Sequence, residues 1–77
     1  MEDENYSTSD LALVTLLSLT FTIEKVDKTN SKKVIFIFKK NKPLEKVIDQ
    51  YLKKKLKVEP QDFFNQIRII KSMIYGK

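Results

Sequence analysis

The spacing of apolar residues changes along this chain, and each change predicts a different element. Residues 11–18 are apolar nearly all round, which is typical of a helix buried on more than one side. Residues 20–26 and 33–40 are rich in β-branched and aromatic side chains, and they predict two strands joined by a polar turn at 27–32. Residues 44–52 and 60–75 return to helical spacing. The pattern predicts one small α+β domain of order α-β-β-α-α, with a β-hairpin packed against helices.

The predicted helix ends rest on local capping signals. Ser7 is the expected N-cap of the first helix, with Asp10 at the third helical position near the positive end of the dipole. Pro43 lies near the start of the second helix and Pro60 at the start of the third. Gly76 is expected to end the third helix. We therefore divide the chain into an acidic flexible head at residues 1–6 and a single domain at residues 7–77.

The strand at 33–40 is apolar on both faces. Val34, Phe36 and Phe38 alternate with Ile35 and Ile37, whereas a sheet with one solvated face would alternate apolar and polar residues. Either something covers both faces or the sheet is wider than one hairpin. A chain of 77 residues without cysteine or histidine has no disulfide or zinc site to support its small core. We therefore expect a homodimer, with Ile35 and Ile37 as the self-association residues.

Charge is divided unevenly along the chain. The first ten residues contain four acidic and no basic side chains, so residues 11–77 hold all 15 basic side chains and carry a net charge of +9. A basic body attracts polyanions, and lysines bind phosphate as flexible point charges in a salt-dependent way. Nine candidate nucleic-acid-binding lysines flank the second strand and follow the second helix: Lys32, Lys33, Lys39, Lys40, Lys42, Lys53, Lys54, Lys55 and Lys57.

The same lysines also have a plainer interpretation. Positive charge keeps a protein soluble, protects strand edges and suits the C-terminal ends of helices. A lysine-rich composition also follows from an AT-rich genome. Arg68 is the single arginine, and arginine is the preferred residue for reading base edges. The composition therefore favours loose phosphate binding over sequence-specific recognition.

Catalysis has little support in the sequence. With no histidine or cysteine, acid–base chemistry would fall to carboxylates such as Glu45 and Asp49, yet Asp49 is also spaced to pair with Lys53. One glycine, at position 76, cannot build a phosphate-binding loop. We expect no enzyme activity, no metal and no cofactor.

Two further features bear on partners and location. Phe36 and Phe38 are expected in the core, whereas Tyr51 and Tyr75 are candidates for exposed residues that stack on bases. The uncharged run of residues 11–23 is shorter than the roughly 20 residues of a membrane span. We expect a cytoplasmic protein that does not enter the membrane.

Several segments together resemble a known family. They are Leu19-Thr20-Phe21, Val34-Ile35-Phe36-Ile37-Phe38, Val58-Glu59-Pro60-Gln61-Asp62-Phe63-Phe64, and Lys71 with Ile74 and Tyr75. The chain resembles, over roughly residues 10–75, a family of small bacterial and phage domains of unknown function. It departs from that family at Thr20, where members tend to have glycine, and at Glu59, where they tend to have aspartate. The resemblance implies a fold and a phage or mobile-element setting, and no chemistry.

Two hypotheses for function follow. The first is a non-enzymatic accessory protein of a phage or mobile element that binds nucleic acid through its lysines without sequence specificity. The second is a protein-interaction module, an inhibitor or adaptor of a host protein, because large apolar residues are frequent for so small a chain.

Overall fold

The domain is a three-stranded antiparallel sheet combined with three helices. The computed structural model describes residues 4–30 and 32–76. The elements are β1 (Asn5–Thr8), α1 (Leu11–Ser18), β2 (Ile23–Asn30), β3 (Lys33–Lys39), α2 (Lys42–Leu52) and α3 (Pro60–Tyr75). The predicted α+β class and the order α-β-β-α-α are confirmed, with one additional strand at the start.

That additional strand changes the expected beginning of the domain. Ser7 does not cap α1, because it lies in β1 opposite Ile37. The N-cap is Asp10, whose side chain accepts a hydrogen bond from the Leu13 N–H at 3.2 Å. The boundary expected between residues 6 and 7 falls within β1, while Glu2 and Asp3 of the acidic head lie outside the described residues.

β3 is the central strand, in the order β1-β3-β2. The sheet is therefore wider than one hairpin, which confirms one of the two alternatives that the apolar faces of β3 suggested. The turn predicted at 27–32 is shorter than expected, because β2 continues to Asn30, which pairs with Lys33. The polar residues at the end of β2 can form a strand because they pair through the backbone at an edge of the sheet. The register of this pairing is irregular between Ile23 and Lys25 and between Asp27 and Asn30.

The core lies between the helices and one face of the sheet. Its fully buried apolar residues come from every helix and from β3: Leu13, Val14, Leu17, Phe36, Phe38, Leu44 and Ile70. Phe36 and Phe38 are 1% and 0% exposed, so their prediction as core residues is confirmed. Thr15 is also buried, and its hydroxyl donates to the Leu11 carbonyl at 2.8 Å, which satisfies its only polar group.

The two later helices begin where their prolines predict. Asn41 caps α2 by accepting from the Leu44 N–H at 2.8 Å, and Glu59 caps α3 by accepting from the Asp62 N–H at 2.9 Å. Gly76 is the C-cap of α3, as expected. None of the helices in the described part of the chain is long and apolar enough to cross a membrane.

Candidate nucleic-acid interface

All nine candidate lysines are exposed at the ends of elements. They fall before β3, at its two ends, at the start of α2, and in the segment between α2 and α3. The Tyr51 hydroxyl bonds Asp10, so the end of α2 lies beside the start of α1. Lys32 and Lys33 line a cleft with Leu11, the residue after Asp10. The start of β3 and the end of α2 therefore lie on the same side of the domain, opposite the turn that joins β3 to α2.

Ion pairing leaves these lysines largely uncompensated. Within residues 4–30 and 32–76 there is one salt bridge, in which Lys53 Nζ lies 3.2 Å from Asp49 Oδ2. The predicted pairing of Asp49 with Lys53 is thus confirmed. Asp49, one of the two carboxylates considered for acid–base chemistry, is therefore engaged in an ion pair. The other eight candidate lysines remain available to an external anion.

A basic cleft lies between the β2–β3 turn, the loop before α1 and the end of α3. Its volume is about 410 Å³. It is lined by Ser9, Leu11, Lys32, Lys33, Val34, Phe36, Ile74 and Tyr75. The cleft combines two ammonium groups with two hydroxyl-bearing side chains over an apolar floor. Such a surface suits an anionic group that carries a flat apolar portion, as a nucleotide does.

An exposed strip of α3 continues from this cleft. It consists of Phe64, Arg68, Lys71 and Tyr75, spaced i, i+4, i+7 and i+11. At 3.6 residues per turn these positions fall within about 60° of the helix circumference. Phe64 is 60% exposed and Tyr75 is 80% exposed, and both basic residues are exposed. We call these four residues the α3 strip.

Most of this strip escaped prediction. The sequence suggested Tyr51 and Tyr75 as exposed stacking residues, and the structure separates them: Tyr75 is exposed, whereas Tyr51 is half-buried and bonded to Asp10. The ring of Phe64 contacts that of Phe63 edge to face, with centroids 6.0 Å apart, and Phe64 is 60% exposed to solvent. The sequence pattern that could have identified the strip is the helical spacing of aromatic and basic residues on a side of α3 away from its buried residues.

The uncovered face of the sheet is a second basic surface. Ile35 and Ile37 lie on the side of β3 opposite Phe36 and Phe38, and both are half-buried. Their partners across β2 are Asp27 and Lys25. By the period of two, Lys33 and Lys39 share this face.

This face also carries a fixed negative charge. The Thr29 N–H and hydroxyl donate to Asp27 Oδ1 at 2.9 and 2.7 Å. These bonds, and to a smaller degree the Lys25 charge, hold the pKa of Asp27 below its ordinary value of 3.8. Asp27 is therefore ionised at neutral pH, which makes the sheet face less favourable to a polyanion than the α3 strip.

An apolar groove lies between α1, the end of α2, the segment that follows α2 and the start of α3. Its volume is about 400 Å³, and it is lined by Ala12, Leu16, Tyr51, Lys54, Leu56, Val58 and Phe63. Val58 and the nearby helix residue Leu52 are exposed to solvent. This groove is suited to an apolar side chain of a protein partner.

Metal chemistry has no visible site in the part of the chain that the structure describes. No group of three or more histidine, cysteine, aspartate or glutamate side chains comes together there.

Fold and surface together define a small basic α+β domain with a lysine-lined cleft and an aromatic–basic helix face. The chain belongs to the family described as a domain of unknown function (DUF5659), whose model matches residues 3–76. The resemblance to a family of small domains of unknown function is thereby confirmed. No match was found among curated proteins or among solved structures.

Proposed function

We propose that this domain is a non-enzymatic accessory protein that binds nucleic acid through exposed lysines without reading its sequence. The observation that carries the proposal is the basic cleft, which is lined by Lys32 and Lys33 together with Tyr75, the last residue of the α3 strip. Phosphates would lie against the lysine ammonium groups. The cleft lining contains no arginine, the residue best suited to recognise base edges, so binding would not depend on the base sequence. A phage or mobile element is the setting that we propose for this activity.

Fluorescence anisotropy with short labelled oligonucleotides tests the proposal. We expect both single- and double-stranded DNA to bind at about 50 mM salt and to bind much more weakly at about 200 mM, because each phosphate contact releases counterions. Absence of binding to both oligonucleotides at the lower salt would falsify the proposal.

Charge variants locate the surface. Lys32→Gln and Lys33→Gln each remove one cleft ammonium group, so each should weaken binding and reduce the slope of log K against log salt by about 0.7 to 0.9. Lys46→Gln is the matched control, since Lys46 is an exposed lysine of α2 outside the cleft. Equal effects of all three substitutions would show that the cleft has no special role.

A second candidate function rests on the apolar groove. A protein-interaction module would place an apolar side chain of a host protein between Leu16 and Phe63, with Lys54 beside an acidic residue of that partner. Leu16→Asp would abolish such an interaction and leave anisotropy with DNA unchanged. Capture of one stoichiometric protein that survives nuclease treatment and high salt, and is lost with Leu16→Asp, would favour this function over the first.

A further inference from the structure

We infer that the α3 strip is a binding path for single-stranded nucleic acid, in which unpaired bases stack on Phe64 and Tyr75 while Arg68 and Lys71 hold the phosphates between them. The inference rests on the proposed function and deepens it, because it names the form of nucleic acid that this surface prefers.

The exposure of the two aromatic rings is the first observation. The aliphatic residues of α3 that pack into the core lie on another side of the helix from Phe64 and Tyr75. These two residues expose 60% and 80% of their surface to solvent. The T-shaped contact with Phe63, with the two ring planes at 73°, restricts the orientation of the Phe64 ring. A ring that is exposed and oriented offers a flat face on which a base can stack at a small entropic cost.

The charge of the strip is the second observation. Arg68 and Lys71 lie between the two rings, and the only carboxylate of α3 is Asp62, in the first turn and on another side of the helix. Arginine forks onto phosphate with two parallel hydrogen bonds and also stacks on aromatic planes. The order along the strip is therefore aromatic, basic, basic and aromatic. This order matches a single strand whose phosphates contact the two cations and whose bases stack on the two rings.

The length and continuation of the strip are the third observation. Phe64 and Tyr75 are eleven positions apart on the helix, which is about 16 Å along the axis and leaves room for a few nucleotides. Tyr75 also lines the basic cleft with Lys32 and Lys33, so the path continues into that cleft. In a duplex the bases are already stacked on one another, and the two rings would meet only sugar and phosphate.

Charge argues against a second copy of this chain as the occupant of the strip. Two strips placed face to face would bring Arg68 and Lys71 against the same cations of the other copy. A single nucleic-acid strand brings the opposite charge.

Two alanine variants test the inference, with anisotropy on a labelled oligo-dT and on a duplex of the same length. Phe64→Ala and Tyr75→Ala should each weaken oligo-dT binding about five-fold or more, because each removes a ring on which an unpaired base stacks. Phe64→Ala, which lies outside the basic cleft, should leave duplex binding within about two-fold. Tyr75→Phe should keep the affinity, since it keeps the ring. Ile69→Ala is the matched control, because Ile69 is an exposed apolar residue on another side of α3.

The outcomes separate this inference from the function on which it rests. Oligo-dT affinity that is unchanged in both alanine variants, or reduced equally by Ile69→Ala, overturns the α3 strip as a stacking path while binding through lysines stands. A strip made for a protein partner would give that same unchanged affinity. Absence of binding to both oligonucleotides by the unaltered protein overturns the proposed function and this inference together. Circular dichroism shows whether each variant keeps its fold, and quenching of tyrosine fluorescence by oligo-dT, lost in Tyr75→Ala, is a second readout of stacking.

Discussion

The hydroxyl of Tyr51, near the end of α2, donates a hydrogen bond to Asp10 Oδ2 at 3.0 Å. The other carboxylate oxygen of Asp10 accepts from the Leu13 N–H and caps α1. One side chain thus joins the start of α1 to the end of α2, across a sequence separation of 41 residues. The contact holds the segment that leads to Lys53, Lys54 and Lys55 against the body of the domain.

Removing either partner should reduce stability by a predictable amount. Tyr51→Phe removes one hydrogen bond to a charged acceptor and should lower the free energy of unfolding by about 1 kcal/mol. Asp10→Ala removes this bond and the helix cap, so it should cost about 1 to 2 kcal/mol. Urea denaturation of both variants and of the double variant gives the coupling energy between the two residues. A coupling energy near zero would show that the bond contributes nothing in solution.

The same bond makes stability depend on alkaline pH. Burial, the hydrogen bond to Asp10 and the charge of that carboxylate raise the pKa of Tyr51 above its ordinary value of 10.0. In the unfolded chain the phenol therefore ionises first, so the stabilisation is fully present below about pH 10 and is lost as pH rises through the folded-state value. We expect the stability difference between the protein and Tyr51→Phe to shrink from pH 9 to pH 11. The rest of the chain is the same in both proteins, so its pH dependence cancels in this difference.

Lys54 occupies a position that glycine would fill better. Its φ is 60°, and it is the only non-glycine residue with positive φ among residues 4–30 and 32–76. The Lys54 and Lys55 N–H groups bond back to the Tyr51 and Gln50 carbonyls, which is the Schellman arrangement that ends α2. Lys54→Gly should therefore raise stability by about 0.5 to 1 kcal/mol, since the left-handed penalty of the side chain disappears.

Thermal denaturation measures the effect of this change, and Lys55→Gly is its control. Lys55 is the next residue and carries the same charge, but it does not have a positive φ. Stabilisation by both substitutions, or by neither, would contradict the conformational explanation. Lys54→Gly also removes one candidate phosphate ligand, so the same variant tests the contribution of Lys54 to DNA binding.

The sequence predicted the elements that have strong periodicity and local caps. α2 and α3 follow from apolar spacing and from Pro43 and Pro60, and β3 follows from its alternating large residues. β1 could not be predicted in this way, because Asn5, Ser7 and Thr8 are polar and form a strand only through pairing with β3. The end of α2 at Lys54 was similarly hidden, since no glycine marks it.

The candidate site was predicted unevenly for a related reason. The lysines are recognisable by composition alone, so their exposure was expected. Lys32, Lys33 and Tyr75 line the same cleft because the end of α3 packs beside the β2–β3 turn. Local sequence does not encode that packing. The exposure of Phe64 likewise depends on which side of α3 packs against the core, and that is set by the tertiary structure.

Self-association through the uncovered sheet face remains a prediction. Ile35 and Ile37 lie on that face, and no helix of the described chain covers them. Two faces brought together would bury these four isoleucine side chains. Each face carries Lys25, Lys33 and Lys39 together with the carboxylate of Asp27, so these groups have a net positive charge and the two copies repel each other. We therefore expect a homodimer that strengthens as salt is raised, because salt screens this repulsion.

Sedimentation velocity over a range of concentrations and salt measures the expected dimer. The double substitution Ile35→Thr and Ile37→Thr should give a monomer under all conditions, because threonine keeps the strand and removes the apolar contact. Leu52→Thr is the control, since it changes an exposed leucine on α2, far from the sheet face. A protein that sediments as a monomer at high concentration and high salt would refute the dimer. Raising salt should weaken DNA binding while it strengthens the dimer, so opposite responses to salt identify two separate surfaces.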